Sequence, residues 1–285
     1  MDVLTAVAPV FGTNCYLVVA DDGVSCVIVD VGAGVAPRVR AIVAERGLRP
    51  TAVLATHVHV DHTWGAAEVS EAFGVPLYLH AADAYRLADP FGTLGLGGAG
   101  HDEAGPLAQA LTAVGLPPGG YQTPARVETF GSATHAPASS SGTTSWPGTP
   151  PTSGTVPGPA LEGTTLELGG LLFAGAPLAV LFAPGHTAGA SLFLLDGVPT
   201  SVSGLSFVPG EESLVGGASR TALTGDVLFA GSIGRTDLPG GDNAAMGHTL
   251  RELVAAIAPA TLLLPGHGPA TRMDLERRRN PYLAG

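Results

Sequence analysis

Short apolar runs alternate with amphipathic segments along the first 80 residues, and this alternation limits the folds open to the chain. Helices are predicted at Pro37–Glu45, closed by Gly47, and at Trp64–Phe73, ended by Gly74. The predicted strands are Val3–Val7, Cys15–Val19, Cys26–Val29, Ala52–Ala55 and Leu77–Leu79. A strand-helix-strand rhythm of this kind predicts an α/β fold with helices packed on sheet faces.

The second half of the chain repeats the same kinds of element. Its predicted helices are Ala244–Ile257 and Met273–Arg279. Its predicted strands are Leu166–Leu168, Leu171–Phe173, Leu178–Phe182, Ser191–Leu195, Asp226–Phe229 and Thr261–Leu264. Two similar halves packed sheet to sheet would form a four-layer αββα sandwich, which the element content alone allows but does not require.

Residues 132–160 interrupt this pattern with Ser, Thr, Pro and Gly. Such a composition buries too little apolar surface to offset chain entropy, so we expect a flexible insertion within one domain spanning residues 1–285. His135 and Trp146 inside it are expected to be incidental. Val198–Ala218 is predicted to be a second, weaker Gly/Ser-rich insertion.

Polar ligand types follow the predicted strand Ala52–Ala55 directly. His57 and His59 are two residues apart, so in extended backbone their side chains share one face and can bind one ion. Asp61 and His62 come after the chain turns and can face a neighbouring ion. Buried imidazoles and carboxylates are costly without partners, which favours a metal site over a structural role.

Three later residues share this context. His186, Asp226 and His267 each lie at the end of an apolar run, flanked by Gly. Each alone fits a structural role better than a ligand role. Together with the first run they supply enough ligands for two ions.

This set resembles the metallo-β-lactamase superfamily over nearly the whole chain except the insertion. All five motifs of that superfamily occur in order, the first at Asp30. The resemblance implies the four-layer αββα fold and a role for Asp30 behind the ligand loop. It also implies two divalent ions, zinc first, with iron or manganese as alternatives. The implied ligands are His57, His59 and His186 for one ion, Asp61, His62 and His267 for the other, and Asp226 for both.

Within the superfamily the chain is most similar to compact bacterial glyoxalase II, the hydroxyacylglutathione hydrolase group. The segments that carry this likeness are Thr224–Gly241, Leu264–Gly268 and Asn280–Leu283. The likeness implies hydrolysis of a small-thiol thioester by a metal-bridged hydroxide, oriented by Asp61. Arg235 matches a position that binds the glutathione carboxylate, or is structural and paired with Asp237 or Asp242. Because Asp237 replaces an aromatic residue, another low-molecular-weight thiol remains open.

Two other enzyme classes and one non-enzyme class compete with this interpretation. A persulfide dioxygenase shares the Gly-Arg-Thr-Asp string and uses one iron, but its last motif usually departs from the Pro-Gly-His-Gly found here. A nuclease of the superfamily would add a basic insertion, whereas residues 132–160 contain no Lys and no Arg. A scaffold without metal would not need the seven intact ligands.

The charge of the chain disfavours nucleic acid as a partner. The formal net charge is −11, from 24 acidic and 13 basic residues, and it repels a phosphate backbone. No run approaches the roughly 20 apolar residues of a membrane span, and no signal-like start is present, so we expect a cytoplasmic protein. Cys15 and Cys26 are too few for a disulfide framework. The oligomeric state is left open.

Overall fold

The computed structural model of the protein describes residues 1–95, 105–133, 163–166 and 168–283. Most strands are short and alternate apolar residues between two faces. In chain order they are β1 (Asp2–Val7), β2 (Asn14–Val19), β3 (Ser25–Val29), β4 (Arg49–Leu54), β5 (Leu77–His80), β6 (Val127–Phe130), β7 (Gly163–Leu166), β8 (Leu178–Phe182), β9 (Ser191–Leu195), β10 (Val202–Ser203), β11 (Arg220–Gly225), β12 (Leu228–Phe229), β13 (Ser232–Ile233), β14 (Thr261–Pro265) and β15 (Thr271–Arg272).

The helices are short, and several have recognisable end signals. They are α1 (Ala36–Arg46), α2 (Val60–Thr63), α3 (Ala66–Phe73), α4 (Pro106–Ala113), α5 (Asn243–Ala256) and α6 (Met273–Arg279). Gly47 and Gly74 end α1 and α3 in the left-handed conformation. Asp242 caps α5 by accepting from the backbone N–H groups of Ala244 and Ala245. The longest helix among the described residues, α5, has 14 residues, and none of the described helices could span a bilayer.

The strands form two main sheets. The first has the order β10-β1-β2-β3-β4-β5-β6, and the second has the order β15-β14-β11-β9-β8-β7. Parallel pairs occur where the ligand loops begin, between β3 and β4 in the first sheet and between β11 and β14 in the second. The carboxyl ends of these neighbouring strands therefore lie at the same edge of each sheet.

Three apolar layers separate four layers of backbone. Leu17 and Ile28 face α1 and α3, whereas Val18 faces the second sheet, because successive side chains on a strand point to opposite faces. On the second sheet Leu264 packs into the layer between the sheets, and Leu263 packs beneath α5. The expected four-layer αββα sandwich is confirmed by this arrangement.

Several predicted elements differ from the structure. Leu171–Phe173 is wrong as a strand, because the chain there forms turns with a single bridge between Phe173 and Ala176. The predicted strand Asp226–Phe229 is confirmed only at Leu228–Phe229, which is β12, since Asp226 lies between β11 and β12. The helix predicted at Trp64–Phe73 begins earlier, as α2, and restarts as α3 after Gly65.

The two predicted insertions have different outcomes. Most of the segment 132–160, with His135 and Trp146, lies outside the described residues, so its flexibility and the single-domain boundaries stay predictions. The second predicted insertion is structured. Val198–Ala218 contains β10, which pairs with β1, and a 3-10 helix at Glu212–Gly217 that buries Leu214.

Candidate metal centre

The first four predicted ligands lie on one short stretch at the end of β4. His57 and His59 follow the strand, with His59 in extended backbone, and their ring centroids are 4.7 Å apart. The chain turns at His59, which precedes the first turn of α2, and Asp61 and His62 lie on that turn. This geometry agrees with the expectation that the chain turns between the two pairs of side chains.

The other three predicted ligands come from the second sheet. His186 follows β8, Asp226 follows β11, and His267 follows β14. A backbone hydrogen bond from Ser191 N to Thr56 O, 2.8 Å long, joins the two sheets beside the site. All seven predicted side chains are brought together by this docking of sheet edges, and we call them the metal cluster: His57, His59, Asp61, His62, His186, Asp226 and His267.

The metal cluster contains three overlapping groups whose ligand atoms lie within 4.8 Å of one another. These groups are His57–His59–His186, Asp61–His62–His267 and His57–His62–Asp226. Asp226 reaches both outer groups. Its carboxylate oxygens lie 3.3 Å from His62 Nε2, 3.6 Å from His186 Nε2 and 3.5 Å from His267 Nε2.

Oxygen atoms behind the cluster determine which nitrogen of each imidazole carries a proton. His62 Nδ1 lies 2.9 Å from Asp30 Oδ2, His186 Nδ1 lies 2.7 Å from Arg235 O, and His267 Nδ1 lies 3.1 Å from Phe11 O. Carboxylate and carbonyl oxygens only accept hydrogen bonds, so each Nδ1 is the donor. The Nε2 atom of each neutral ring then presents a lone pair to the site.

The same logic extends to His57. Its Nδ1 lies 3.1 Å from the Thr56 hydroxyl, which itself donates to Asp30 Oδ2 at 2.7 Å. The Thr56 oxygen is therefore left to accept from His57 Nδ1–H, and His57 Nε2 presents a lone pair as well.

These lone pairs meet at short range. The Nε2 atoms of His57 and His186 are 3.2 Å apart, and those of His62 and His267 are 3.1 Å apart. Two imidazole lone pairs at that distance repel each other unless a cation or a proton lies between them. Imidazole and carboxylate donors suit divalent zinc, iron and manganese. The residues present therefore fit divalent metal ions.

Without a metal, protons must take the place of the cations. Burial lowers the pKa of His57 well below its ordinary value. Burial would lower the pKa of His62 too, but Asp226 and Asp61 outweigh it and hold that pKa well above the ordinary value. At His267 the same two carboxylates overcome burial and raise the pKa to about 9. Metal binding to these rings must displace protons.

Asp30 organises the ligand loop from behind, as the family resemblance implied. Its Oδ1 accepts from Thr56 N at 2.8 Å, and its Oδ2 accepts from Thr56 Oγ1 and His62 Nδ1. Asp30 has a φ of 56°, a conformation that aspartate tolerates better than most residues. The carboxylate is thereby aimed at the backbone before the ligands and at one ligand ring.

Gly266 permits the close approach of the last ligand loop. A Cβ atom at this position would meet Asp226 Oδ1, and it would lie 2.6 Å from His62 Cε1. Any larger residue would push two members of the metal cluster aside. The Gly before His267 is therefore required by packing against the site.

A buried ion pair connects the loops that carry the metal cluster. The sequence-based prediction did not include this pair. Asp83 is fully buried and accepts from Val58 N at 3.1 Å, Thr187 Oγ1 at 2.7 Å and Gly189 N at 2.8 Å. It thus joins the loop between His57 and His59 to the loop after His186. Arg86, also fully buried, lies 3.5 Å from Asp83.

Arg86 extends this connection to a third loop. Its Nη2 donates to Pro239 O at 2.8 Å, and its Nη1 donates to Thr93 O at 3.3 Å. Pro239 belongs to the segment that contains Arg235. Asp83 and Arg86 lie more than 100 residues from several of these partners, so no local spacing signal marked them.

The C-terminal motif supports the loop that follows Asp226. Asn280 Nδ2 donates to Ser232 O at 3.0 Å, and Glu276 Oε2 accepts from Gly231 N at 2.8 Å. Glu276 also accepts from Thr271 Oγ1 at 2.6 Å. The helix α6 therefore fixes the β12–β13 hairpin beside the metal cluster.

A cavity of about 360 Å³ opens onto the metal cluster. His267 and Asp61 form its exposed floor, with side chains 26% and 20% exposed. Its walls are lined by Leu94, Phe229, Gly234, Arg235 and Leu238. A small molecule entering this cavity reaches the metal ligands directly.

Arg235 is both at the cavity and paired with Asp237. Its Nε and Nη2 donate to the two Asp237 carboxylate oxygens, each at 2.7 Å. This pair lowers the pKa of Asp237 to about 2, mainly through the hydrogen bonds from Arg235. Asp242, the other acidic partner considered from the sequence, instead caps α5. The substrate-binding role of Arg235 stays a prediction.

Comparison with known proteins agrees with this geometry. The sequence profile described as the metallo-beta-lactamase superfamily matches residues 8–198. An uncharacterized protein of Mycobacterium tuberculosis is 30% identical over 278 residues, which cover 98% of this chain and 96% of the relative. Hydroxyacylglutathione hydrolase GloC of Haemophilus influenzae is 26% identical over 274 residues, covering 96% of this chain and 93% of GloC.

One of the similar solved structures contains bound metal. TTHA1623 in a di-iron-bound form is 27% identical, with a TM-score of 0.57, and covers 98% of this chain and 99% of that one. The profile spans more than half of the chain, and the structure adds groups of residues that can hold divalent metals. The chain therefore belongs to the metallo-β-lactamase superfamily and is a metal-dependent hydrolase of that superfamily.

Proposed function

We propose that the protein hydrolyses a thioester of a small thiol, using two divalent cations held by the metal cluster. The carrying observation is that Asp226 lies within 3.6 Å of a histidine in each of the two outer ligand groups, beside one cavity that both groups line. The curated relative GloC has the name of a thioester hydrolase, which supports this reaction class. A small-molecule substrate is the expected partner.

Each member of the metal cluster has a proposed role as a metal ligand. His57, His59 and His186 would hold one cation, Asp61, His62 and His267 would hold the other, and Asp226 would contact both. When bound, the two cations supply a nucleophile from water near neutral pH and polarise the carbonyl of the substrate. The protein supplies the fixed positions of the ligands through Asp30, Asp83 and the backbone acceptors behind the rings.

Asp61 is the proposed catalytic residue. Its Oδ2 lies 3.2 Å from His267 Nε2, at the floor of the cavity. Burial would raise the pKa of this carboxyl, but His62 and His267 outweigh it and hold the pKa below the ordinary value. The carboxylate therefore stays ionised near neutral pH, where it accepts a hydrogen bond from the attacking water and orients it.

The leaving group and the cavity walls fit direct hydrolysis. A thiol has an ordinary pKa of about 8.5, so a thiolate departs near neutral pH with little help from an acid. Leu94, Phe229 and Leu238 offer apolar contact to the carbon atoms of the substrate, and Arg235 offers the proposed polar contact. Cys15 and Cys26 are fully buried away from the cavity, so we expect no thiol nucleophile.

Zinc is the first candidate metal, with iron and manganese as alternatives. Imidazole and carboxylate donors accept all three. The di-iron form of TTHA1623 gives iron specific support as the alternative. Elemental analysis of the purified protein decides between them.

The test combines metal content with a thioester panel that includes S-lactoylglutathione. We expect two metal ions per chain and metal-dependent release of thiol. Asp226→Ala should abolish turnover and lower the content of both ions, whereas Asp196→Ala, at an exposed pair with Arg220, serves as the control. Absence of turnover on every thioester by the fully loaded protein would reject the proposal.

Oxygen uptake separates this proposal from the persulfide dioxygenase alternative. A dioxygenase would consume oxygen with a thiol persulfide and hold one iron. We expect no oxygen uptake, because the metal cluster contains more groups of possible ligands than one ion would use.

Nuclease activity is the other alternative. The net charge of −11 disfavours it, and we expect no phosphodiester cleavage.

A further inference from the structure

Arg235 is fixed at the edge of the cavity by its own backbone. Its carbonyl oxygen accepts from His186 Nδ1 at 2.7 Å, which ties the residue to a metal ligand. Arg235 lines the cavity, and its side chain is 62% exposed. Arg235 therefore lies beside the metal cluster without belonging to it.

The segment that follows is anchored as well. Arg86 donates to Pro239 O at 2.8 Å, and Gly241 N donates to Leu238 O at 2.8 Å. Asp242 N donates to Gly185 O at 2.8 Å, next to the ligand His186. Arg235 and Asp237 are two residues apart on this anchored segment, so Asp237 is held against a residue that lines the cavity.

The ion pair with Asp237 reduces the charge and the hydrogen-bond donors that Arg235 can present to a substrate. The carboxylate occupies the Nε–Nη2 edge of the guanidinium through two hydrogen bonds of 2.7 Å. Among the cavity-lining residues that the structure describes, Arg235 is the one Lys or Arg side chain. Because Asp237 balances the charge of Arg235, the pair has no net positive charge to attract a carboxylate of the substrate.

A carboxylate of the substrate near Arg235 would also be repelled by the carboxylate of Asp237. Like charges a few ångströms apart repel, even where solvent screens them. The remaining walls formed by Leu94, Phe229 and Leu238 are apolar and give an anion no compensating contact. The cavity is therefore better matched to a thiol portion that is uncharged near this arginine.

We propose that Asp237 is a specificity-determining residue that selects against thioesters whose thiol portion carries a carboxylate beside Arg235. The substrate class is thus a thioester of a thiol that is neutral in this region. This inference rests on the proposed function, because it concerns the substrate of the same site.

The test compares two thioesters with the same acyl group. S-lactoylglutathione has an anionic thiol portion, and S-lactoyl-N-acetylcysteamine has a neutral one. We expect Asp237→Asn to shift the ratio of kcat/KM by about two- to fivefold towards the anionic thioester, mainly through KM, since an exposed charge pair contributes at most about a fivefold step. Adding Arg235→Ala to this variant should remove the gain.

A matched pair far from the cavity provides the control. Asp196 and Arg220 are joined at 2.7 Å, are similarly exposed and lie outside the cavity lining. Asp196→Asn changes the net charge of the protein equally and should leave the ratio unchanged. An unchanged ratio in Asp237→Asn, or an equal shift in Asp196→Asn, would overturn the proposal.

A binding measurement keeps this result separate from the proposed reaction. S-methylglutathione is a thioether and cannot be hydrolysed, so calorimetry with metal-loaded protein measures recognition alone. Tighter binding by Asp237→Asn would support the selection even if no thioester turned over, in which case only the proposed reaction fails. Turnover of both thioesters with unchanged binding and ratio would reject the role of Asp237 and leave the reaction standing.

Discussion

Asp30 Oδ2 and His62 Nδ1 lie 2.9 Å apart, and this hydrogen bond joins the end of β3 to a ligand on α2. The same oxygen accepts from Thr56, which in turn contacts His57. One carboxylate therefore orients a ring in each of two ligand groups. Such partners behind metal ligands commonly contribute ten- to hundredfold to metal affinity.

Replacing Asp30 by Asn should weaken metal binding by about tenfold or more. Asn tolerates the positive φ of this position and keeps an acceptor for Thr56 N, but its neutral oxygen is a weaker partner for His62. Competition with a chelator measures the affinity. An unchanged affinity in a folded Asp30→Asn protein would show that the contact does not orient the ligand.

Asp83→Asn should destabilise the protein far more than an equivalent change on the surface. Arg86 would lose its buried counter-charge, a change that costs about 3–5 kcal/mol in buried pairs. Asp196→Asn, at the exposed pair with Arg220, should cost at most about 1 kcal/mol. Urea unfolding of both variants checks this difference, and similar midpoints would contradict the central role assigned to Asp83.

Metal binding at pH 7 should release protons into solution. The carboxylates around His62 and His267 raise the pKa of both rings, that of His267 to about 9, so this pair of rings holds an extra proton when no metal is present. Metal affinity should therefore fall as pH decreases below about 9. Calorimetric titrations in buffers of different ionisation enthalpy count the protons. Equal heats in all buffers would mean that none is released.

The two thiols should be unreactive in the native protein. Burial raises the pKa of Cys26 to about 12 and that of Cys15 still further, and both side chains are fully buried. Since the thiolate is the reactive species, iodoacetamide at pH 8 should label neither residue until the protein unfolds. Mass spectrometry should then find two labels in urea. Rapid labelling of the folded protein would place a thiol at the surface.

The ligand positions could be predicted from the sequence because their signals are local. His57 to His62 follow an apolar strand within six residues, and His267 follows the uninterrupted apolar run of β14. The helix Met273–Arg279 was predicted with its observed bounds. In each case, the residues that define the element lie within one or two turns of one another.

Other features depend on contacts between distant parts of the chain. β11 contains Arg and two Thr residues and gains its burial by lying between β9 and β14, so its sequence shows no clear strand pattern. Leu171–Phe173 is apolar enough for a strand, yet the turn that pairs Phe173 with Ala176 prevents one. Asp83 acts through partners up to 106 residues away, which sequence spacing cannot indicate.

The central claim is that seven side chains hold two cations around Asp226. Anomalous X-ray diffraction from crystals of metal-loaded protein, recorded at the absorption edge of the metal, tests it most directly. We expect two peaks, one bonded to His57, His59 and His186, the other to Asp61, His62 and His267, with Asp226 bonded to both. A single peak, or peaks away from these side chains, would contradict the account.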